Sequence, residues 1–186
     1  MEEDVKLIEK VKKRGSETAA NQLVSKYYRE IYQYVFKQTL DQEQSYDLTQ
    51  EIFINMLQGL HQFEGSRASF RTWLYKIATY KVVDYFRSKY YKTHRLSIDI
   101  TDMDFAINED FTLNLEHVEE VATILEIVHQ LETSLQQIFR LKLFADCTFQ
   151  EIAAILNIPE STVKTKYYRC LKFVRKKVEG ECEDGE

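Results

Sequence analysis

The chain has 186 residues, with 25 Lys and Arg against 30 Asp and Glu and a formal net charge of -5. That length suits one large or two small domains, and five Gly with one Pro supply too few turn formers for a sheet protein. No apolar run approaches the roughly 20 residues that span a bilayer, the start MEEDVKLIEKVKKRG lacks a signal-peptide core, and the widely spaced Cys147, Cys170 and Cys182 offer no CxxC pair for zinc or a disulfide framework. An all-α, soluble, intracellular protein without a metal, cofactor or nucleophile motif is expected.

In chain order, Val5, Leu7, Ile8 and Val11 predict a short first helix that stops at Gly15. Ser16 with Glu17 opens a second, running to about Leu40, with Leu23, Tyr27, Ile31, Tyr34 and Val35 inward. Asp41 to Ser45 reads as a turn. The third helix, SYDLTQEIFINMLQGLHQF, has an apolar stripe of Leu48, Ile52, Phe53, Met56, Leu57 and Leu60. Asp47, Gln50 and Glu51 lie at i, i+3 and i+4 on another face. Alone, such a patch reads as solvated surface.

The fourth segment, ASFRTWLYKIATYKVVDYFRSKYYK, interleaves Phe70, Trp73, Tyr75, Tyr80, Tyr85, Phe86, Tyr90 and Tyr91 with cations. Drawn as a helix, its apolar positions occupy nearly every direction, whereas a core-facing stripe takes only about a third to a half of the circumference. The surplus rings are expected to face solvent or a partner. Rings among cations suit single-stranded nucleic acid, where stacking contributes about 1–3 kcal/mol per base and the cations follow the backbone. The competing reading is a packed aromatic core with cations snorkelling around it.

From Thr93 to Asn114 no helical period persists, and Asp, Ser, Thr and Asn abound, as in an extended linker. Its Ile, Met and Phe residues fit either a passive tether or a segment lying in a partner's channel. Leu115 to Phe144 supplies two helices, with Val118, Val121, Ala122, Leu125 and Val128 on the apolar face of the first and Leu135, Ile138, Phe139, Leu141 and Leu143 on that of the second.

Cys147 to Val178 carries the strongest local signals. Thr148 with Glu151 forms a capping box, Phe149, Ile152, Ala153 and Leu156 recur at helical spacing, and Asn157-Ile158-Pro159 breaks the helix, with Pro159 fitting the first turn of the next. In that next helix Val163, Tyr167, Cys170, Leu171, Val174 and Val178 share a stripe. Ser161, Thr165, Tyr168, Lys172 and Lys176 point away from it, with Lys164 and Arg169 on the flanks. This is the helix-turn-helix pattern, whose second helix reads base edges with its N-terminal residues and holds phosphates with its later cations. A helical hairpin with a solvated face is the plainer alternative. Against it stand Lys164, Lys166, Arg169, Lys172, Arg175, Lys176 and Lys177, opposed up to Val178 only by Glu160.

Charge falls in blocks. Cations dominate from Glu64 to Arg95, no Lys or Arg occurs from Leu96 to Phe139, and the last helix is basic before an acidic tail. A net charge of -5 repels duplex DNA at long range. Such a chain is expected to meet DNA while docked on something else.

In their order and spacing, DLTQEIFINML, FRTWLYKIATYKVVDYFR and TFQEIAAILNIPESTVKTKYYRCLKFVRKKV resemble the successive motifs of the extracytoplasmic-function class of bacterial RNA polymerase sigma factors. The resemblance covers all but the linker and the tails. It implies two small helical domains: a region 2 domain at 1–92, a linker at 93–114, a region 4 helix-turn-helix domain at 115–180 and an acidic tail at 181–186. It further implies a non-enzymatic alternative sigma factor that binds core polymerase, reads −35 and −10 promoter elements and assists melting.

By that resemblance Asp47, Gln50 and Glu51, with Phe53 at the edge, would dock on the clamp helices of the largest catalytic subunit, while the C-terminal domain meets the flap of the second. Phe70, Arg71, Trp73, Tyr75, Lys76, Tyr80, Lys81, Asp84 and Arg87 would serve the −10 element and its unpaired strand. The loop Gly65 to Ser69 with Phe70 would receive an extruded base, whose unstacking costs a few kcal/mol. Ser161, Thr162, Lys164, Thr165, Tyr168, Arg169 and Lys172 would serve the −35 element. The family commonly carries Asn after IAT, where this chain has Tyr80, and Gly where it has Ser161. The resemblance also implies an anti-sigma partner that can hold the protein at the membrane, a cytoplasmic location, no cofactor and a monomer when free. A free-standing helix-turn-helix repressor or activator is the rival reading, and it leaves the aromatic segment unexplained.

Overall fold

A computed structural model describes residues 2–65, 68–95 and 115–183. Among them are eight α-helices, one 3-10 turn and no strand. The N-terminal half contains α1 (Glu2–Arg14), α2 (Glu17–Thr39), α3 (Gln42–Gly59), a 3-10 turn (Leu60–Gln62) and α4 (Phe70–Arg95). The C-terminal half contains α5 (Leu115–His129), α6 (Thr133–Phe144), α7 (Phe149–Leu156) and α8 (Glu160–Glu183).

Local chemistry sets most of the boundaries. Gly15 takes the left-handed conformation (φ 57°) that ends α1. Ser16 then caps α2, its Oγ accepting from the Ala19 amide at 3.3 Å. Asp41 caps α3 by accepting from the Gln44 amide at 3.0 Å, so the expected turn at Asp41–Ser45 is already helical from Gln42. Asp signals a turn and an N-cap equally well in sequence, and here it is the cap. The third helix also ends earlier than expected, at Gly59, and tightens into the 3-10 turn.

The core of the N-terminal half is built from Leu23, Ile31, Val35, Ile52, Met56, Leu60, Leu74, Ala78 and Val82. Helix α1 is pinned to it by Asp4, which accepts from the Tyr27 hydroxyl at 2.9 Å and pairs with Lys26 at 2.6 Å. In the C-terminal half Ile127, Val128, Phe139, Cys170 and Val174 form a cluster of their own. Helix α6 is buried on several sides at once, through Leu135, Ile138, Phe139, Arg140, Leu141 and Phe144. Leu143, expected on its apolar face, is exposed instead.

The two halves are not held apart. Helices α6 and α7 pack against α4, and α6 also touches α2. Leu141, Phe144, Ile152 and Val163 therefore join the same apolar cluster as the N-terminal core. Helix α4 runs through Arg95, three residues into the segment expected as linker, and α8 runs past residue 180 to Glu183. The rest of that linker, residues 96–114, lies outside the described residues.

Candidate nucleic-acid and docking interfaces

The helix-turn-helix is assembled by short-range chemistry. The Thr148 amide donates to Glu151 Oε2 at 2.8 Å while the Glu151 amide donates to Thr148 Oγ1 at 3.2 Å, a reciprocal capping box. Asn157, at φ 55°, ends α7 in the left-handed conformation, and its amide reaches back to the Ala153 carbonyl. Pro159 sits just before α8 rather than in its first turn, its carbonyl accepting from the Val163 amide at 3.1 Å.

One stripe of α8 holds it down: Val163, Cys170 and Val174 are buried. Tyr167 packs edge-on against Phe149 at 5.4 Å, and Lys166 reaches back to the Ser134 hydroxyl at 2.8 Å. Ser161, Lys164, Thr165, Tyr168, Arg169 and Lys172 are exposed on the other side and Thr162 is half-buried, which brings together every residue expected at the −35 element. Tyr168 is 60% exposed. Lys164 pairs with Glu160 at 2.6 Å.

Helix α4 divides its expected residues. Phe70 and Tyr75, expected on the single-strand face, are core residues. Phe70 packs against Tyr27 at 5.4 Å and Phe63 at 5.6 Å, and Tyr75 against Tyr34 at 5.1 Å. The Tyr75 hydroxyl donates to Glu30 Oε1 at 3.0 Å, and burial beside that carboxylate pushes its ionisation upward. Arg71 is drawn to the same carboxylate at 2.6 Å and lies 4.7 Å from the Tyr75 ring centroid.

Trp73, Lys76 and Lys81 are half-buried; Tyr80, Asp84 and Arg87 are exposed. Tyr80, at 43%, is the exposed ring among the described side chains of α4. Asp84 and Arg87 pair at 2.8 Å. At the base of the preceding loop, the Ser69 hydroxyl accepts from the Thr72 amide at 3.1 Å and so starts α4. Residues 66 and 67 of the Gly65 to Ser69 loop lie outside the described residues.

On α3, Asp47, Gln50 and Glu51 are all exposed on one face. Phe53, expected at its edge, is buried and stacks on Tyr28 at 5.9 Å. Two apolar residues that the sequence reading left unassigned flank the patch instead: Tyr46 at 51% and Ile54 at 52% exposure. The available signal was spacing, because Ile54 falls three residues after Glu51 and outside the core stripe. Glu51 also pairs with Lys81 of α4 at 2.7 Å, so the acidic patch and the α4 face are contiguous.

Among the described residues there is no cluster of His, Cys, Asp and Glu able to hold a metal ion, and no helix long and apolar enough to cross a membrane. Cys147 and Cys170 are buried free thiols whose ionisation burial pushes up to about 11, so both stay protonated.

Comparison with known proteins matches the two halves separately. Residues 23–90 match the family model for Sigma-70 region 2, and residues 122–174 the model for Sigma-70, region 4. The chain is 31% identical over 164 residues to the ECF RNA polymerase sigma factor SigX of Bacillus subtilis, covering 84% of this chain and 82% of that one. Among solved structures it is similar to CnrH in complex with the cytosolic domain of CnrY, with a TM-score of 0.64, 17% identity and 96% of each chain covered. It is also similar to the sigma factor RpoE in complex with the anti-sigma factor NepR from Bartonella quintana, with a TM-score of 0.58, 13% identity and 86% of this chain and 96% of that one covered. At those identities the two structures speak for the fold.

Proposed function

The chain belongs to the extracytoplasmic-function class of RNA polymerase sigma factors, which direct transcription initiation, and we propose a division of labour among its exposed faces. Asp47, Gln50 and Glu51 of α3, with Tyr46 and Ile54 beside them, dock the protein on core polymerase. The apolar pair supplies burial and the polar trio supplies register.

Helix α8 enters the major groove of the −35 element. Ser161 and Thr162 meet the backbone at the helix start, Lys164, Thr165, Tyr168 and Arg169 reach base edges and phosphates, and Lys172 holds a phosphate. Tyr80, Lys76, Lys81, Asp84 and Arg87 of α4 face the −10 element, with Trp73 at their margin. Tyr80 offers a stacking surface where an amide would offer hydrogen bonds. Phe70 and Tyr75 act as the rigid support beneath that face.

Residues 1–92 and 115–180 are the two working units and 93–114 their connection. Catalysis remains with the polymerase, in the cytoplasm. An anti-sigma partner is the natural inhibitor, since one of the similar structures contains such a factor.

The observation that carries this reading is the co-occurrence, in order on one acidic chain, of the two sigma segments and an exposed basic α8. A chain of net charge -5 gains little from non-specific attraction to DNA, so polymerase must bring it there. Run-off transcription with purified core polymerase over a set of genomic promoter fragments tests the reading. Specific transcripts are expected from a subset. No transcripts, with duplex bound by the protein alone, would instead favour a free-standing helix-turn-helix regulator.

A further inference from the structure

Arg140 of α6 is fully buried, 0% exposed, where the two halves of the chain meet. Its Nη1 donates to Gln38 Oε1 of α2 at 2.7 Å, across 102 residues of sequence. Its guanidinium lies 4.8 Å from the ring centroid of Phe86 on α4. Among the described residues no carboxylate pairs with it, and its Nε and Nη2 have no hydrogen-bond partner. Gln38 is also buried, its Nε2 donating to the Tyr34 carbonyl at 2.6 Å. Burial lowers the ionisation of Arg140 to about 10. A small cavity lined by Val83, Arg87, Thr133 and Gln136 opens along the same seam.

A buried cation is well tolerated only when its donors are satisfied. Arg140 has only one of its three guanidinium nitrogens hydrogen-bonded, so the contact that joins the halves also carries a charge that gains by their separation. Separation is required on a promoter. Elements at −35 and −10 lie about 25 base pairs apart, roughly 85 Å at ~3.4 Å per base pair. A packed chain of this length has a radius of gyration of about 16 Å, hence a diameter near ~40 Å. Helices α4 and α8 cannot serve both elements while α6 and α7 remain on α4.

We propose that Arg140, with Gln38 and Phe86, is a release clasp: it fixes the register of the packed state while its incomplete pairing keeps that state only marginally favoured. Polymerase and promoter then open the halves by binding the separated form. The packed state is the storage form, and Arg140 sets how readily it yields. The requirement to open rests on the initiation reading above, whereas the clasp itself is testable without polymerase.

Two full-length variants move the balance in opposite directions. Gln38→Leu with Arg140→Leu replaces both partners by apolar groups and favours packing. Gln38→Lys sets a second cation beside Arg140 and favours opening. By small-angle X-ray scattering, the lysine variant is expected to show a radius of gyration larger by roughly a quarter, and the leucine pair a wild-type radius with a raised melting temperature. In run-off transcription at limiting core polymerase the leucine pair is expected to give about tenfold fewer transcripts, recovering at saturating core.

Identical radii for wild type and Gln38→Lys at unchanged helicity would overturn the proposal, as would wild-type transcription by the leucine pair at limiting core. If Gln38→Lys loses helicity, the leucine pair alone decides, by those transcripts and its melting temperature. If wild type yields no transcripts from any promoter while the radii change as stated, the initiation reading fails and the clasp stands.

Discussion

Helices α4 and α8 both mix rings with cations, yet they are held in different ways. Helix α8 lies on its own half of the chain along one stripe, Val163, Cys170 and Val174, and exposes Lys164, Thr165, Tyr168, Arg169 and Lys172 on the opposite side. Helix α4 is gripped from two sides. Phe70 and Tyr75 pack on α2 through Tyr27 and Tyr34, while Phe86 packs on the C-terminal half through His129 and Arg140. A helix held along one stripe can give the rest of its surface to a duplex. A helix held twice needs rings on most of its circumference and keeps only a narrow face, around Tyr80 and Asp84, for a ligand. Surplus rings on a helix can therefore mean a second packing partner within the same chain as readily as a nucleic acid.

The sharpest way to break this contrast lies within α4. Phe70→Ala is expected to cost about 3–5 kcal/mol of stability by urea unfolding, whereas Tyr80→Ala stays within ~0.5 kcal/mol and acts on promoter opening instead. Similar stability losses for the two would erase the distinction between support and face. Next in size, Asp47→Ala with Glu51→Ala is expected to weaken core-polymerase binding about tenfold, or ~1.4 kcal/mol, leaving duplex binding by α8 unchanged; parallel loss of both would point to unfolding. On the α8 side, Thr148→Ala removes the cap of α7 and is expected to cost about 1 kcal/mol in thermal unfolding, with Thr148→Ser restoring most of it. Smallest of all, Lys172→Ala should lower the slope of log affinity against log salt by about 0.9 at a fixed promoter while leaving sequence preference intact. An unchanged slope would remove Lys172 from the phosphate contacts.

The same contrast explains what could be read from sequence. Helices α7 and α8 were legible down to the cap because their signals are local: Thr148 and Glu151 three residues apart, Asn157 at the break, one stripe of apolar residues. Of the α8 stripe, Leu171 is exposed rather than buried. The existence of α1 to α4 was equally legible. The burial of Phe53 was legible too, since it lies on the apolar stripe of α3. That of Phe70 and Tyr75 was not, because an amphipathic pattern gives one face of a helix and says nothing of a second partner. The partner that claims Phe86 includes Arg140, a residue type that patterning assigns to solvent and that reaches α2 across 102 residues. Tyr46 and Ile54 were missed for the opposite reason. They are apolar residues outside the core stripe; spacing already sets them beside Asp47 and Glu51, and the packed bundle shows them to be open.

The central claim is that α8 holds duplex while the narrow face of α4 helps open it, both on polymerase. Permanganate footprinting of one responsive promoter tests this directly, with core polymerase plus wild type or Tyr80→Ala and with enzymatic footprinting of the −35 element in parallel. Reactive thymines near −10 are expected only when protein and core are both present, and Tyr80→Ala should reduce them several-fold while −35 protection is kept. Full thymine reactivity with Tyr80→Ala, or loss of −35 protection in step with it, would contradict the account.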